Sequence, residues 1–237
     1  MTESRISQNI EEYLEVLYRN GNNGEQVSTT QLSKDLNIAP GSVTQMLKKL
    51  EKLGYIDYTP YKGATLTEDG LKIAQKITRK HRILEKFLID ILKIKEENVH
   101  EQACEMEHSL SDEAERALCN MLNNPDVCGD DKVIPACNFD FGSCQECHSL
   151  NDFDQIIYRQ INLLSISELS SNTEGTIEFI RGNPELLDEI SDLGISIGSK
   201  ITYALNEESE NDQIPVTIDG EKLNISREMA NNIFIKI

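Results

Sequence analysis

Along this chain the apolar residues recur at helical spacing for more than half its length and then alternate as strands do. That change of period fixes the class: mainly α with a small β part near the end. Ile10, Tyr13, Leu14 and Leu17 mark a first helix, closed by Asn20-Gly21-Asn22-Asn23-Gly24. Ser28-Thr-Thr-Gln31 has the form of a capping box and opens a short helix with Leu32 and Leu36 inward. Asn37-Ile38-Ala39-Pro40 makes a tight turn. A further helix is expected from about Gly41 to Leu53, with Val43, Met46, Leu47 and Leu50 on one face. Gly54 sits where a C-terminal cap needs a left-handed residue. Tyr55–Tyr58 and Ala64–Leu66 read as strands joined through Tyr61-Lys62-Gly63, and Thr67 caps a helix reaching toward Lys80. Helix, turn, helix and hairpin in this order make a winged helix-turn-helix.

From Arg79 to Leu122 the pattern stays helical, through Ile83, Leu84, Phe87, Leu88, Ile91, Ala103, Leu110, Ala114, Leu118 and Met121. Apolar helices without a sheet need a partner surface, and a homodimer supplies one. Residues 123–152 carry Pro125, Gly129, Pro135 and Gly142 and read as an excursion or linker. Beyond it, Gly175–Ile180, Lys200–Ala204, Ile214–Ile218, Lys222–Ile225 and Phe234–Ile237 alternate, with Asp219-Gly220 as a hairpin turn. A β-barrel of roughly 70 residues fits this end.

The net charge is −18, which argues against blanket affinity for nucleic acid. Its distribution is uneven. Residues 1–80 hold 11 Lys/Arg against 10 Asp/Glu, and the remainder holds 12 against 31. Only the first third approaches phosphate without repulsion. No apolar run has the length of a membrane span, and Met1–Arg5 lacks the apolar core of a secretory signal, so a soluble cytoplasmic protein is expected.

The chemistry concentrates in His100-Glu-Gln-Ala-Cys104-Glu-Met-Glu107-His108. On a helix, offsets of four, seven and eight fall on one face, so His100, Cys104, Glu107 and His108 point the same way. Imidazole, thiolate and carboxylate together are ligands for a first-row transition metal. Upstream, His81 and Glu85 form a second pair four residues apart. Any one of these is ordinarily a solvated or buried polar residue; six in phase on two helices point to an ion. Arg82 and Lys86 read as solvated or ion-paired.

These motifs carry a resemblance. His81-Arg-Ile-Leu-Glu85, Val99-His100 through Glu113, Glu11-Glu12-Tyr13-Leu14-Glu15, Pro184-Glu-Leu-Leu and Asp192-Leu-Gly-Ile-Ser-Ile-Gly198 resemble the diphtheria toxin repressor and its iron-dependent and manganese-dependent relatives. The likeness covers most of the chain and fails over about 124–152. It implies a winged helix domain over 1–78, a helical dimerisation and metal-binding domain over 79–152 with a Cys-rich insert at 124–152, and an SH3-like, FeoA-type domain over 165–237. It implies two adjacent metal sites. An ancillary site takes His81, Glu85 and His100, with Glu178 near a helper position of the SH3-like domain. A primary site takes Cys104, Glu107, His108 and Glu12. Iron-type members carry Met at the position of Glu12 and Cys at that of Cys104. Manganese-type members carry acidic residues at the positions of Glu12, Glu15 and Cys104. This chain mixes the two, and the softer thiolate favours Fe(II) over Mn(II). The implied function is a dimeric, non-enzymatic repressor of metal uptake that binds double-stranded operator DNA when metal is bound. Binding needs neutral His and ionised Cys, so it weakens at low pH.

Ser42, Thr44, Gln45, Lys48 and Lys49 form the polar face of the second helix of the motif. Gln45 suits adenine edges, Ala39 and Pro40 suit thymine methyls, and Lys48, Lys49, Lys52 and Lys62 suit phosphate. Of six cysteines, Cys128, Cys137, Cys144 and Cys147 fall within twenty residues, a possible structural zinc or iron–sulfur site. Cys119, among apolar residues, reads as merely buried. Two other functions compete: a metalloenzyme, for which no catalytic motif is present, and an iron-transport accessory protein, which leaves the helix-turn-helix unexplained.

Overall fold

A computed structural model of the chain describes residues 6–21, 25–150, 153–169, 173–203 and 213–236. Met1–Arg5, the turn residues Asn22, Asn23 and Gly24, the end of the insert at Asn151 and Asp152, and the strand ends Ala204 and Ile237 lie outside the described residues. The chain divides into two compact units, Met1–Thr78 and Arg79–Ile237.

The first unit contains α1 (Gln8–Asn20), α2 (Thr29–Asp35), α3 (Pro40–Lys52), β1 (Ile56–Thr59), β2 (Gly63–Leu66) and the start of α4 (Glu68–Asp90). Its core joins Ile10, Tyr13, Leu14 and Leu17 of α1 to Leu32, Val43, Leu47, Leu50, Ile56 and Ala74. Local signals set its boundaries. Ser28 Oγ accepts from the Gln31 backbone N–H at 3.1 Å, while the Gln31 amide turns away to Asp35, so half of the capping box forms. α3 starts on Pro40, whose missing N–H costs nothing at a helix start. Gly54 has φ +81°; its N–H donates to Glu51 and that of Tyr55 to Leu50, the Schellman arrangement. Gly63 in the hairpin is required by contact, since a Cβ there would stand 2.4 Å from the Val27 carbonyl oxygen.

Thr67 Oγ1 accepts from the Gly70 N–H and caps α4, which runs on past Lys80 to Asp90 because no Gly or Pro follows Gly70 to stop it. In the second unit, α5 (Val99–Glu107) and α6 (Asp112–Met121) pack on its later turns. Leu84, Leu88, Val99 and Ala103 form one core cluster there, and Ile83, Cys119 and Ile134 another.

The stretch expected to be a linker is packed instead. Cys128, Ile134, Ala136, Phe139, Cys144 and Cys147 are buried, and Cys144–Ser149 forms α7, capped by Ser143. Buried arginines explain how an irregular backbone survives inside. Arg79 donates to the Pro135 carbonyl at 2.6 Å, Arg159 to those of Cys137 and Phe141 at 3.1 Å each, and Arg181 to that of Ile134 at 2.9 Å. Guanidinium groups take the place of a ladder for these carbonyls.

The chain ends in β3 (Leu164–Ser165), β4 (Thr173–Ile180), α8 (Pro184–Asp192), β5 (Lys200–Tyr203), β6 (Gln213–Ile218), β7 (Glu221–Ser226), α9 (Arg227–Asn232) and β8 (Ile233–Lys236). The strands form one sheet in the order β3-β8-β4-β5-β6-β7, antiparallel throughout. Asp219 and Gly220 take φ of +50° and +90°, the type I′ turn that joins β6 to β7. Ile177, Ile201, Ile225, Ile233 and Ile235 pack with Ile190 of α8 into its core. Among the described residues no helix is long and apolar enough to cross a membrane.

Candidate functional site

Two helices of the second unit build a cluster of ligand-type atoms. α4 supplies His81 and Glu85, one turn apart; α5 supplies His100, Cys104 and Glu107, and His108 caps its C-terminus. His81 lies at the centre, with its two ring nitrogens facing different groups. Nδ1 is 2.6 Å from Glu107 Oε2 and 3.8 Å from Cys104 Sγ. Nε2 is 3.0 Å from Glu85 Oε1 and 3.1 Å from His100 Nδ1. His100 also stands 3.5 Å from Glu85 and, through Nε2, 3.8 Å from Cys104 Sγ. His108 Nε2 is 3.3 Å from Glu107 Oε1. Ligating atoms of His81, His100 and Cys104 all fall within 4.8 Å of one another. Metal–ligand bonds of about 2.0–2.3 Å need that closeness.

The same contacts set the charges. Burial pushes the Glu85 carboxyl up, but hydrogen bonds from His100 and His81 outweigh it and hold it well below the usual carboxylate range. His100 is pushed up to about 9, first by its hydrogen bond to Cys104 and then by Glu85. Burial also raises the Cys104 thiol, yet hydrogen bonds from His100 and His81 bring it below its ordinary value. Without an ion the cluster therefore sets a His100 imidazolium against the Glu85 carboxylate, beside a Cys104 thiol whose ionisation is eased. A divalent cation held here would take the place of the imidazolium proton beside Glu85 and Cys104.

Three further ligands are expected from the sequence. Glu12 and Glu15 are on α1 in the first unit. Glu178 sits in β4 at a bulge between Ile177 and Phe179, and its charge acts on Arg159. Among the described residues Glu178 joins no ligand-type group.

The cysteines sort differently from their spacing. Cys128 does not line the cavity shared by Cys137, Cys144 and Cys147, and its thiol, which burial pushes up, lies within reach of Glu85 instead. Cys119, expected to be merely buried, takes its place and accepts from Arg79 at 3.1 Å. Sequence reasoning passed over Cys119 because its neighbour Cys137 is 18 residues on, across a stretch without periodicity.

On the first unit, Ser42, Gln45, Lys48 and Lys49 are exposed along α3, with Ala39 and Pro40 exposed at its start. Thr44 is half-buried and its hydroxyl donates to the Pro40 carbonyl at 2.9 Å, which occupies it within its own helix. Lys62 is exposed in the hairpin loop next to Tyr61, a fully exposed aromatic at φ +65° that the sequence reading used only as a connector.

Known proteins share this layout. Residues 5–64 match the family model of the iron dependent repressor N-terminal DNA binding domain. Residues 67–136 match that of the iron dependent repressor metal binding and dimerisation domain, and 164–237 that of the FeoA domain. An uncharacterised HTH-type transcriptional regulator of Methanocaldococcus jannaschii is 49% identical over 46% of this chain and 87% of its own length. The iron-dependent repressor IdeR of Mycobacterium tuberculosis is 25% identical over 95% of this chain and 96% of its own. In fold, the chain is similar to a manganese-dependent transcriptional repressor in complex with manganese, at TM-score 0.50 and 23% identity over 96% of this chain and 99% of that one. With regulators of transcription as its relatives, the metalloenzyme reading falls away, and the matched N-terminal DNA-binding domain removes that of an accessory protein. This chain belongs to the iron-dependent repressor family, the metal-dependent DNA-binding transcriptional repressors that include the diphtheria toxin repressor.

Proposed function

We propose that this repressor responds to Fe(II) ahead of Mn(II), binds double-stranded operator DNA as a homodimer, and turns down genes for metal uptake. The observation that carries the reading is the convergence of His81, His100 and Cys104 on one point, with Glu85 and Glu107 hydrogen-bonded to His81. A thiolate in that set favours Fe(II); the carboxylates alone would suit Mn(II), which is the second reading.

His81, Glu85 and His100 would hold one ion, and Cys104, Glu107 and His108 its neighbour. The metal supplies a divalent charge that the anionic groups share. The protein's residues do the rest: Glu85 and Glu107 fix the His81 ring from opposite nitrogens, so the ring plane is set before any ion arrives, and the nitrogen that turns ligand gives up its proton while the other keeps its carboxylate. Glu12 and Glu15 enter the ligand set on the resemblance. A ligand drawn from α1 makes metal binding and DNA binding linked equilibria, so each strengthens the other by the same factor. Glu178 is a helper on the same ground.

The dimer is proposed to form through residues 79–152. Ile91, Leu92, Met106 and Met121 support it, as exposed large apolar side chains on or beside α4, α5 and α6. Ala39, Pro40, Ser42, Gln45, Lys48, Lys49 and Lys62 are the proposed DNA contacts, with Thr44 reduced to a positioning residue.

An anaerobic gel shift on the natural upstream DNA, titrated with Fe(II) or Mn(II), tests the reading, with sedimentation giving the mass of the species. A retarded dimer at lower Fe(II) than Mn(II) is expected. A shift indifferent to metal sinks the sensor reading, and one that needs less Mn(II) than Fe(II) reverses the preference.

A further inference from the structure

Sulfur that the metal centre does not use gathers elsewhere in the second unit. Cys119 of α6, Cys137, and Cys144 and Cys147 of α7 line one cavity. Cys119, Cys144 and Cys147 are buried, Cys137 is half-buried, and all four are free thiols. Two guanidinium groups are aimed at sulfur there. Arg79 Nη2 donates to Cys119 Sγ at 3.1 Å and Arg116 Nε to Cys147 Sγ at 3.3 Å. Such a contact gains most when the sulfur is a thiolate. Phe139, Phe141 and Phe179 add apolar surface to the lining. The cavity thus offers four soft donors, compensating cations and little water. Thiolate sets of this kind select zinc or iron–sulfur clusters.

We propose that Cys119, Cys137, Cys144 and Cys147 hold an iron–sulfur cluster, at a site separate from the His81 centre. Spacing favours the cluster over a single zinc ion. A tetrahedral zinc ion with Zn–S bonds of about 2.3 Å holds its sulfurs roughly 3.8 Å apart. Among the described residues no three of these sulfurs lie within 4.8 Å of one another. A cluster spreads its thiolates over several irons and accepts the wider set. Each thiol gives up its proton on ligation, and the cluster brings its own iron and sulfide. Arg79 and Arg116 then hydrogen-bond ligating sulfurs, a contact that adjusts the reduction potential of such centres. Cys128 is outside the set, because it does not line this cavity.

This inference uses no ligand of the proposed sensor site, so either can fail alone. The test is anaerobic incubation of the full-length chain with ferrous salt, sodium sulfide and a thiol reductant, followed by desalting. Wild type and Cys128→Ser are expected to retain acid-labile sulfide and a brown charge-transfer absorption. Cys119→Ser and Cys137→Ser lose both, with the far-ultraviolet circular dichroism unchanged. If those variants unfold, alkylation of wild type decides, at a denaturant concentration where the unloaded chain labels fully. Loading is then expected to slow labelling of Cys119, Cys137, Cys144 and Cys147 at least about tenfold while Cys128 reacts as before. Three results overturn the proposal: no sulfide retained by wild type, four-thiol protection by added zinc with sulfide failing to bind, or loss of sulfide from Cys128→Ser with retention by Cys119→Ser.

Discussion

The two ligand-rich regions of the second unit solve opposite problems. The His81 cluster mixes nitrogen, oxygen and one sulfur, and it opens to solvent through His100, whose side chain is 59% exposed. The cysteine cavity gathers four sulfurs, is lined by Phe139 and Phe179, and is propped by buried guanidinium groups. An open, mixed set exchanges its ion with the surroundings, as a sensor must. A closed, soft set keeps what it holds and spends its polar contacts on structure. Burial, more than ligand count, separates a site that reports from a site that stores.

The sharpest way to break that contrast is to remove a cation from the closed region. Arg79 pairs with Glu115 at 2.7 Å, both side chains 5% exposed. Arg79→Ala strands a buried carboxylate and is expected to cost about 3–5 kcal/mol in denaturant unfolding. A loss near zero means this region is not the structural one. In the open cluster the order reverses. Cys104→Ala is expected to leave unfolding within about 0.5 kcal/mol of wild type. Its metal affinity should nevertheless fall by more than the roughly 10–100-fold that outer-shell changes give. Equilibrium dialysis with Fe(II), beside a melt, reads both; unchanged affinity removes Cys104 from the ligand set. Cys104→Glu then sharpens the assignment by trading softness for charge. The concentration of Fe(II) needed for operator binding should rise relative to that of Mn(II), and an unaltered ratio would say the sulfur does not set the preference.

The smallest effects belong to the DNA face and act as controls for both regions. Gln45→Ala should weaken operator binding by roughly 1–3 kcal/mol and random DNA hardly at all. Lys49→Ala should weaken both and lower the salt slope by about one unit. Fluorescence anisotropy across a salt series at saturating metal separates the two. Equal losses on both DNAs for Gln45→Ala would mean α3 does not read bases.

What the sequence showed follows from the range of each interaction. Gly54 and the Asp219-Gly220 turn were legible because a cap and a two-residue hairpin are settled by neighbours along the chain. The shared face of His100 and Cys104 follows from helical arithmetic, which cannot tell that His81 from another helix lies between their partners. The packed insert was illegible for the same reason. Its carbonyls are satisfied by Arg79, Arg159 and Arg181, which come from far along the chain and leave no periodic trace. Cys119 hid among apolar residues because its meaning comes from the arginine beside it.

Arg181 has a consequence for how the second unit comes apart. Buried at 2% exposure and lying over the Phe234 ring, it donates to carbonyls of Asp126, Ile134 and Asn231 and to the side chain of Asn232. One cation thus stitches the cysteine-bearing stretch to the last turn before β8. Opening either side abandons a desolvated charge, so neither opens first. The C-terminal sheet and residues 126–134 should behave as one foldon, with amide exchange rates that rise together under mild denaturant. The tail that looks like a detachable module is, by this stitch, a lid whose hinge has been sewn shut.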